Sequence, residues 1–468
     1  MYKHRIYITL FIVMLAAACR MGKDYSRPEV ALPQQFGDTA PSDTSIAGMN
    51  WKEFFTDTTL QRLIEQSLQN NYDQQLAIKR IEEAEAYVKQ AKVNWLPSLQ
   101  GQVAASTTTP SKNSLNGLSL ESFLGSRHVE DYNANVGLSW EIDIWGKLRR
   151  QREIARANYL QSYEAARTVQ TTLVAEIANS YYNLLMLDEQ LDIAHKNLLL
   201  SDTIVNMIQL QKQAGLVTEL AVQQATAQRQ NTALLVPQLE QQVAIQENLL
   251  RILLGDLPGK INRTSQLADV RVWQELPTGL PAGLLSRRPD VRSNEMALVA
   301  ANAQVGVAEA SMYPSLNITA SGGLNAFKAS KWFVVPGSLF GTVAGSVAQP
   351  IFQRRQLKTQ KEVANIRRDE AVISFRQSVL NAVGEVSNAL VKLDKLKTQH
   401  EVAEARTHTL QTAIRQAEML FKSGLADYLE VITAQGNSLE ASILLADIQR
   451  QQLSAMVELY RSLGGGWK

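Results

Sequence analysis

From Lys147 to Ala214 the chain reads as one uninterrupted helix. No Gly or Pro breaks the run, and apolar positions fall three and four apart at Val174, Ile177, Tyr181, Leu184, Leu191, Ala194 and Leu198. That spacing defines an amphipathic helix, and at about 1.5 Å per residue it reaches roughly 100 Å. Such a helix has a distance to span rather than a globular core to fill. A second run, Arg354 to Ser423, repeats the pattern with Gly384 alone inside it and apolar positions at Val372, Phe375, Val379, Val383, Val386, Leu390 and Leu393.

The two runs superpose at an offset of 209. Val174, Glu176 and Asn179 fall on Val383, Glu385 and Asn388; Gly215 and Leu216 fall on Gly424 and Leu425; Leu254 and Gly255 fall on Leu463 and Gly464. Upstream the offset is 217, with Pro97-Ser98-Leu99 on Pro314-Ser315-Leu316. A fixed offset held this far is an internal duplication, and the difference between the two offsets belongs to the segments leading into the long helices.

Period two appears between the helices. Over 133–144, Ala134, Val136, Leu138, Trp140, Ile142 and Ile144 alternate with Asn133, Asn135, Gly137, Ser139, Glu141 and Asp143, which predicts a half-buried strand. Trp140 and Trp145 near its end suit a membrane interface. Its expected partner is 98–109, with the Ser-, Thr- and Asn-rich 110–131 as a loop. In the second copy Leu316, Ile318 and Ala320 alternate with Asn317, Thr319 and Ser321, and 338–349 supplies a fourth strand. Four strands cannot close a barrel, and a bilayer tolerates no open edge. If the strands face lipid, several chains complete one barrel.

The remaining punctuation divides the chain. Residues 1–18 read as an export signal, with Lys3 and Arg5 before an apolar run and Ala16-Ala17-Ala18 before Cys19. The one cysteine after small residues reads as a lipidation site, although Ala16 stands where a lipobox usually has Leu. Residues 19–57, with Pro28, Pro33 and Pro41, read as an extended lipid-anchored segment. The first repeat covers 58–255, beginning in helix near Thr58 with a break at Asn70-Asn71. A Pro-rich linker follows over 256–288, the second repeat over 289–464 and a tail over 465–468. The long helices end at Gly215-Leu216 and Gly424-Leu425, where Gly is expected just past a helix. Shorter helices return from there, the first with Pro237 as an expected kink.

Charge and composition narrow the chemistry. Removing the signal with Lys3 and Arg5 takes the 47 basic residues to 45, level with the 45 acidic ones, so nothing points to a nucleic-acid partner. A lone cysteine allows neither an internal disulfide nor a thiolate metal site. His128, His195, His400 and His408 share no ligand spacing, and no phosphate loop, nucleophile elbow or paired-acid motif occurs. The sequence therefore predicts no enzyme and no cofactor.

Taken together, particular stretches resemble the TolC-like outer-membrane efflux proteins, specifically the lipoprotein branch serving resistance-nodulation-division (RND) pumps. They are Cys19 with Gly22-Lys23-Asp24-Tyr25-Ser26-Arg27-Pro28; Trp51, Phe54, Phe55 and Asp57; Trp140-Glu141-Ile142-Asp143-Ile144-Trp145-Gly146-Lys147; Leu285-Ser286-Arg287-Arg288-Pro289-Asp290-Val291-Arg292; Gly424-Leu425-Ala426-Asp427-Tyr428-Leu429-Glu430-Val431; and Leu463-Gly464-Gly465-Gly466-Trp467. The resemblance implies a mainly α fold with a small β-barrel part. Three chains with four strands each would build a 12-stranded barrel over an α-helical periplasmic tunnel. It also implies a homotrimer lipid-anchored in the outer membrane of a Gram-negative bacterium, with a periplasmic membrane-fusion adaptor and an inner-membrane RND-type pump as partners. The function implied is a passive exit duct for small molecules and drugs. The same family resemblance leaves open a type I secretion or metal-efflux channel, and the residues alone would also allow a poreless periplasmic coiled-coil scaffold.

Three departures stand out. Phe352 is followed by Gln353-Arg354-Arg355 where the family commonly has Gly, Leu220-Ala221 precede Val222 where an Asp is frequent, and Thr433 stands where relatives often carry Asp.

The candidate site residues follow. Asp427 with Glu430 has capping-box spacing and is read first as a cap, although three copies around an axis could also form a cation-attracting ring; Leu429 is either a hydrophobic constriction or coiled-coil packing. With Thr433 these are the expected gate at the periplasmic tip. Gly215, Leu216, Gly424 and Leu425 are the expected adaptor-docking turns. Arg287, Arg288 and Asp290 are expected to brace a helix start.

Overall fold

The computed structural model describes residues 21–36, 45–270 and 277–467. Cys19 and the expected signal segment lie outside them. In chain order the main elements are α1 Thr58–Asn70, α2 Tyr72–Val93, β1 Ser98–Thr108, α3 Leu115–Leu124, β2 Val129–Ile142, α4 Lys147–Gln213, α5 Glu219–Leu253, α6 Pro289–Ala310, β3 Ser315–Ala326, β4 Leu339–Ala348, α7 Gln356–Lys422 and α8 Tyr428–Ser462.

The duplication is written in the element boundaries. Both long helices, α4 and α7, have 67 residues, and both returning helices, α5 and α8, have 35. Lys147 and Gln356, Gln213 and Lys422, Glu219 and Tyr428, and Leu253 and Ser462 are each 209 apart. Helices α2 and α6 keep the offset of 217 at both ends. The difference between the offsets lies in the strand connections, which run from 109 to 128 in the first copy but only from 327 to 338 in the second.

The longer connection is where the polar-loop expectation fails. Leu115–Leu124 is a helix, started by Ser114, whose Oγ accepts from Gly117 N at 3.1 Å, and closed by Gly125 at φ 65°. The surrounding Ser and Asn masked a helical apolar spacing at Leu115, Leu118 and Phe123. Strand β2 also differs from the expected 133–144. It begins at Val129, paired with Thr108, and stops at Ile142 because Asp143 leaves the ladder to cap α4. Helix α5 runs through Pro237 unbroken; one lost amide is not enough to end a helix packed along its length.

Contacts group the chain into two compact units, one of residues 1–28, 82–160 and 296–373, the other of 29–81, 161–295 and 374–468. In the first unit the strands pair antiparallel in the order β1-β2-β3-β4. The register aligns one apolar face across the sheet: Leu99, Leu138, Ala320 and Val343 in one row, Val103, Ala134, Leu324 and Leu339 in another. The opposite face carries Asn, Gln, Ser and Thr together with Asp131, Glu141 and Phe340, with Asn135 Nδ2 donating to Asn133 Oδ1 at 2.5 Å and the Ser321 and Thr342 hydroxyls 2.7 Å apart. One end of the sheet is ringed by aromatics. Trp140 donates to Trp95 O and Trp145 to Pro314 O, both at 2.7 Å, and the Trp145 and Tyr313 rings lie 4.9 Å apart. Beside this end, buried Arg150 holds the N-terminal segment through Gly22 O and Asp24 at 3.0 Å.

The second unit is a helical body. Its core stacks Phe54 on Tyr460 at 4.1 Å, and the Tyr460 hydroxyl, donating to Met49 O at 2.8 Å, is pushed up to about 12 by burial. Arg263 fastens the linker by ion pairs to Asp188 at 2.5 Å and Glu247 at 2.6 Å.

Candidate functional site

In the helical unit both turns are built alike. Leu216 N donates to Gln211 O and Gly215 N to Lys212 O, each at 2.9 Å; Leu425 N donates to Leu420 O at 2.8 Å and Gly424 N to Phe421 O at 3.1 Å. These paired bonds are Schellman closures, which need a left-handed residue, and Gly215 and Gly424 supply it at φ 77° and 75°. A Cβ at either glycine would meet open space, so backbone conformation, not crowding, demands Gly there.

Beneath the turns a single apolar cluster joins the two hairpins: Ile204, Val205 and Ile208 of α4, Ala221, Val222 and Ala225 of α5, Phe421 of α7 and Val431 of α8. The tip residues over it point outward. Leu216 is 73% exposed and Leu425 76%. Leu429, Thr433 and Asp427 are also exposed. The hairpins are clasped differently, since Lys212 pairs with Glu219 in the first, where the second has Phe421 and Tyr428. Tyr428 instead reaches across and donates to Gln224 Oε1 at 2.5 Å.

The capping-box expectation is corrected here. Asp427 occupies the N-cap of α8 with extended backbone, but its side chain makes no capping hydrogen bond. The main-chain bond from Glu430 N to Asp427 O, 3.2 Å, starts the helix instead. The carboxylate is turned to solvent.

The basic cluster is also rearranged. Buried Arg288 bonds Asp290 at 2.6 and 2.9 Å, Glu385 at 2.9 Å and Ser462 O at 3.1 Å. Arg461, rather than Arg287, adds the second cation, 3.3 Å from Glu385. Arg287 runs instead toward Gly279, where an added Cβ would lie 3.2 Å from its Nη1. Burial alone would lower the Arg288 guanidinium, yet its bonds to Asp290 and Glu385 outweigh that and raise it; the same pairing holds Asp290 below the usual carboxylate range.

The chain thus combines a duplicated helical hairpin with a four-stranded sheet that has one apolar face. The model of the Outer membrane efflux protein family matches residues 63–256 and 280–465. The chain belongs to this family. Relatives include the cation efflux system protein CusC of Escherichia coli O6:H1, 29% identical over 98% of both chains. The probable outer membrane lipoprotein SilC of Salmonella typhimurium is 28% identical over 100% of both. The toluene efflux pump outer membrane protein TtgC of Pseudomonas putida is 29% identical over 98% of this chain and 94% of its own. Among solved structures, the outer-membrane channel OprN superposes with a TM-score of 0.87 at 27% identity, covering 96% of this chain and 100% of that one.

This outer membrane efflux protein is therefore an outer-membrane channel that extends into the periplasm, and its four strands are one protomer's share of a trimeric barrel. Sequence reading missed several of its contacts. Buried Gln435 of α8 binds Asn197 Oδ1 at 3.0 Å and Ser201 Oγ at 2.5 Å on α4; a Gln at a core helix position was the available signal. Glu385 was visible as the offset partner of Glu176, but nothing in the sequence tied it to Arg288, which lies far upstream in the chain.

Proposed function

We propose that this channel is the passive exit duct of a tripartite pump for small organic molecules and drugs, driven by an inner-membrane RND-type pump. A periplasmic adaptor docks on the turns around Gly215-Leu216 and Gly424-Leu425, and Asp427, Leu429 and Thr433 line the gate. Cys19 carries the lipid. The observation that carries the reading is the pair of Schellman turns, packed over one shared cluster while holding Leu216 and Leu425 in solvent. Exposed leucines on a rigid support suit capture by a partner's apolar helix face.

The polar strand face supports organic cargo over metal. Its amides and hydroxyls, Asn133, Asn135, Asn317, Thr319 and Ser321, are not the thiolate, thioether or imidazole ligands that soft metal ions select. CusC, named for cation efflux, keeps the metal reading as the second one.

The test is complementation. A strain lacking its own channel, given this protein with its adaptor and pump, should regain resistance to organic toxicants but not to copper or silver. Regained metal resistance alone would reverse the substrate assignment. In the same strain Cys19→Ser should take up no labelled fatty acid, and normal processing of that variant would refute the lipid site.

A further inference from the structure

The two strand-to-helix junctions occupy equivalent places in the repeat and differ in chemistry. In the first, Asp143 accepts from Leu148 N at 3.1 Å and Arg149 N at 3.0 Å, Trp145 lies on Tyr313, and Gly146 takes φ 77°. At an offset of 209 these three become Phe352, Arg354 and Arg355. The carboxylate that caps the first long helix thus has an aromatic residue, Phe352, at its equivalent position in the second copy. Arg355 adopts φ 67° in the place of Gly146, and Arg354 adopts φ 47°. Left-handed backbone is costly for residues with a Cβ, so a sequence free to vary would put Gly there.

The surroundings say what the arginines are for. In the single protomer Ile351 is 94% exposed and Phe352 84%, and both line a groove of about 550 Å³ with Met312, Pro350, Leu357 and Lys358. Arg355 shares one arm with Glu362 at 3.1 Å, while Arg354 and Lys358 make no ion pair among the described residues. The junction follows the sheet end where Ser315 pairs with Ala348, the end ringed by Trp95, Trp140, Trp145 and Tyr313. Such an aromatic girdle marks a membrane–water interface. The long helices leave from this end, and the protein extends into the periplasm, so the interface is that of the periplasmic leaflet. An apolar pair flanked by three cations at that depth complements a lipid with apolar chains and an anionic head.

We propose that the junction between β4 and α7 binds an anionic phospholipid of the periplasmic leaflet, with Ile351 and Phe352 against the acyl chains and Arg354, Arg355 and Lys358 at the headgroup phosphate. Arg355 accepts its left-handed backbone because that conformation delivers the guanidinium to the phosphate.

The test is lipid retention by the detergent-purified trimer, read by native mass spectrometry after adding phosphatidylglycerol or phosphatidylcholine at equal mole fraction. Wild type should retain phosphatidylglycerol preferentially, and each of Arg354→Gln, Arg355→Gly and Lys358→Gln should weaken that preference by about fivefold. Arg355→Gly is the decisive variant because glycine relaxes the backbone, so the trimer should melt no lower than wild type while losing lipid. Equal retention of the two lipids by wild type would overturn the proposal. So would an Arg355→Gly protein that keeps its lipid, or dissociation of the trimer by Phe352→Ser with lipid retention unchanged, which would make the patch a contact between protomers.

Discussion

Arg288 and Asn71, related by the upstream offset of the repeat, make the same hydrogen bond in its two copies. Arg288 Nη1 donates to Ser462 O at 3.1 Å and Asn71 Nδ2 donates to Leu253 O at 3.0 Å, each tying the entry of one helix to the last turn of another. The carboxylates around them are equivalent too, Asp290 and Glu385 in the second copy, Asp73 and Glu176 in the first. Only the second copy has the arginines, since Ile252 stands where Arg461 would be.

The equivalent glutamates should therefore respond oppositely to neutralisation. Glu385 is paired with Arg288 and Arg461, whereas burial, then the charge of Asp73, raises the Glu176 carboxyl. A carboxyl raised in the folded state opposes folding once it ionises. Glu176→Gln should leave the midpoint of unfolding at neutral pH unchanged or higher, and Glu385→Gln should lower it. Arg288→Met should cost about 2–3 kcal/mol, below the usual figure for breaking a buried pair because its acids are partly exposed. Chemical denaturation of the trimer in detergent checks all three.

Acid should dissolve the same cluster. Asp290 titrates below its ordinary value when folded, so its contribution is complete above the unfolded carboxylate value near 4 and fades as pH falls through the folded value. Wild type should lose stability below about pH 4, and Asp290→Asn should show a flatter acid limb in the same measurement.

The turns separate strain from contact. A Cβ at Gly424 or Gly215 meets no neighbouring atom, but Val there must adopt a φ near +75°, a strain of about 1–3 kcal/mol. Gly424→Val and Gly215→Val should still give folded trimers in the outer membrane, with efflux and adaptor crosslinking lost. Normal export with intact crosslinking would reduce the turns to hairpin ends.

Asp427 answers a different question. Because its side chain caps nothing, Asp427→Ala should leave the melting temperature within measurement error rather than cost the roughly 1 kcal/mol of a lost cap. A change in single-channel conductance or cation selectivity would then report charge at the tip directly.

The sequence exposed what repeats and what alternates. Uninterrupted helical periodicity located α4 and α7 almost to the residue at each end, and the alternation of Val136, Leu138 and Trp140 located β2, because both signals are summed over many positions. Single side-chain geometries were not legible. Capping-box spacing at Asp427 and Glu430 is a local pattern, whereas in the fold Asp427 makes no side-chain cap bond and its side chain is exposed. Nor could spacing separate Arg287 from Arg288: adjacent arginines diverge in the fold, one buried among acids, the other running toward Gly279. Helix α3 escaped because its apolar residues are few and sit among turn formers.

The last expectation concerns a hydrogen bond that crosses the tip. Tyr428 of α8 donates to Gln224 of α5 at 2.5 Å, while the Tyr428 body packs against the cluster of Phe421, Val431 and Ile208. Tyr428→Phe keeps that packing and removes an exposed hydrogen bond worth about 1 kcal/mol or less, so the trimer should melt as wild type does. One exposed bond at a helix end contributes little to global stability, so the loss should appear only as local opening. Amide exchange in 214–224 and 423–432 should accelerate several-fold, and channel conductance should rise if the two hairpins must part to open the tip. Gln224→Met should reproduce both effects, and the double variant should add nothing further, since the two side chains share one bond. Additive effects, or exchange that quickens evenly along α5 and α8, would show that Tyr428 acts through packing and that the crossing bond does not hold the hairpins together.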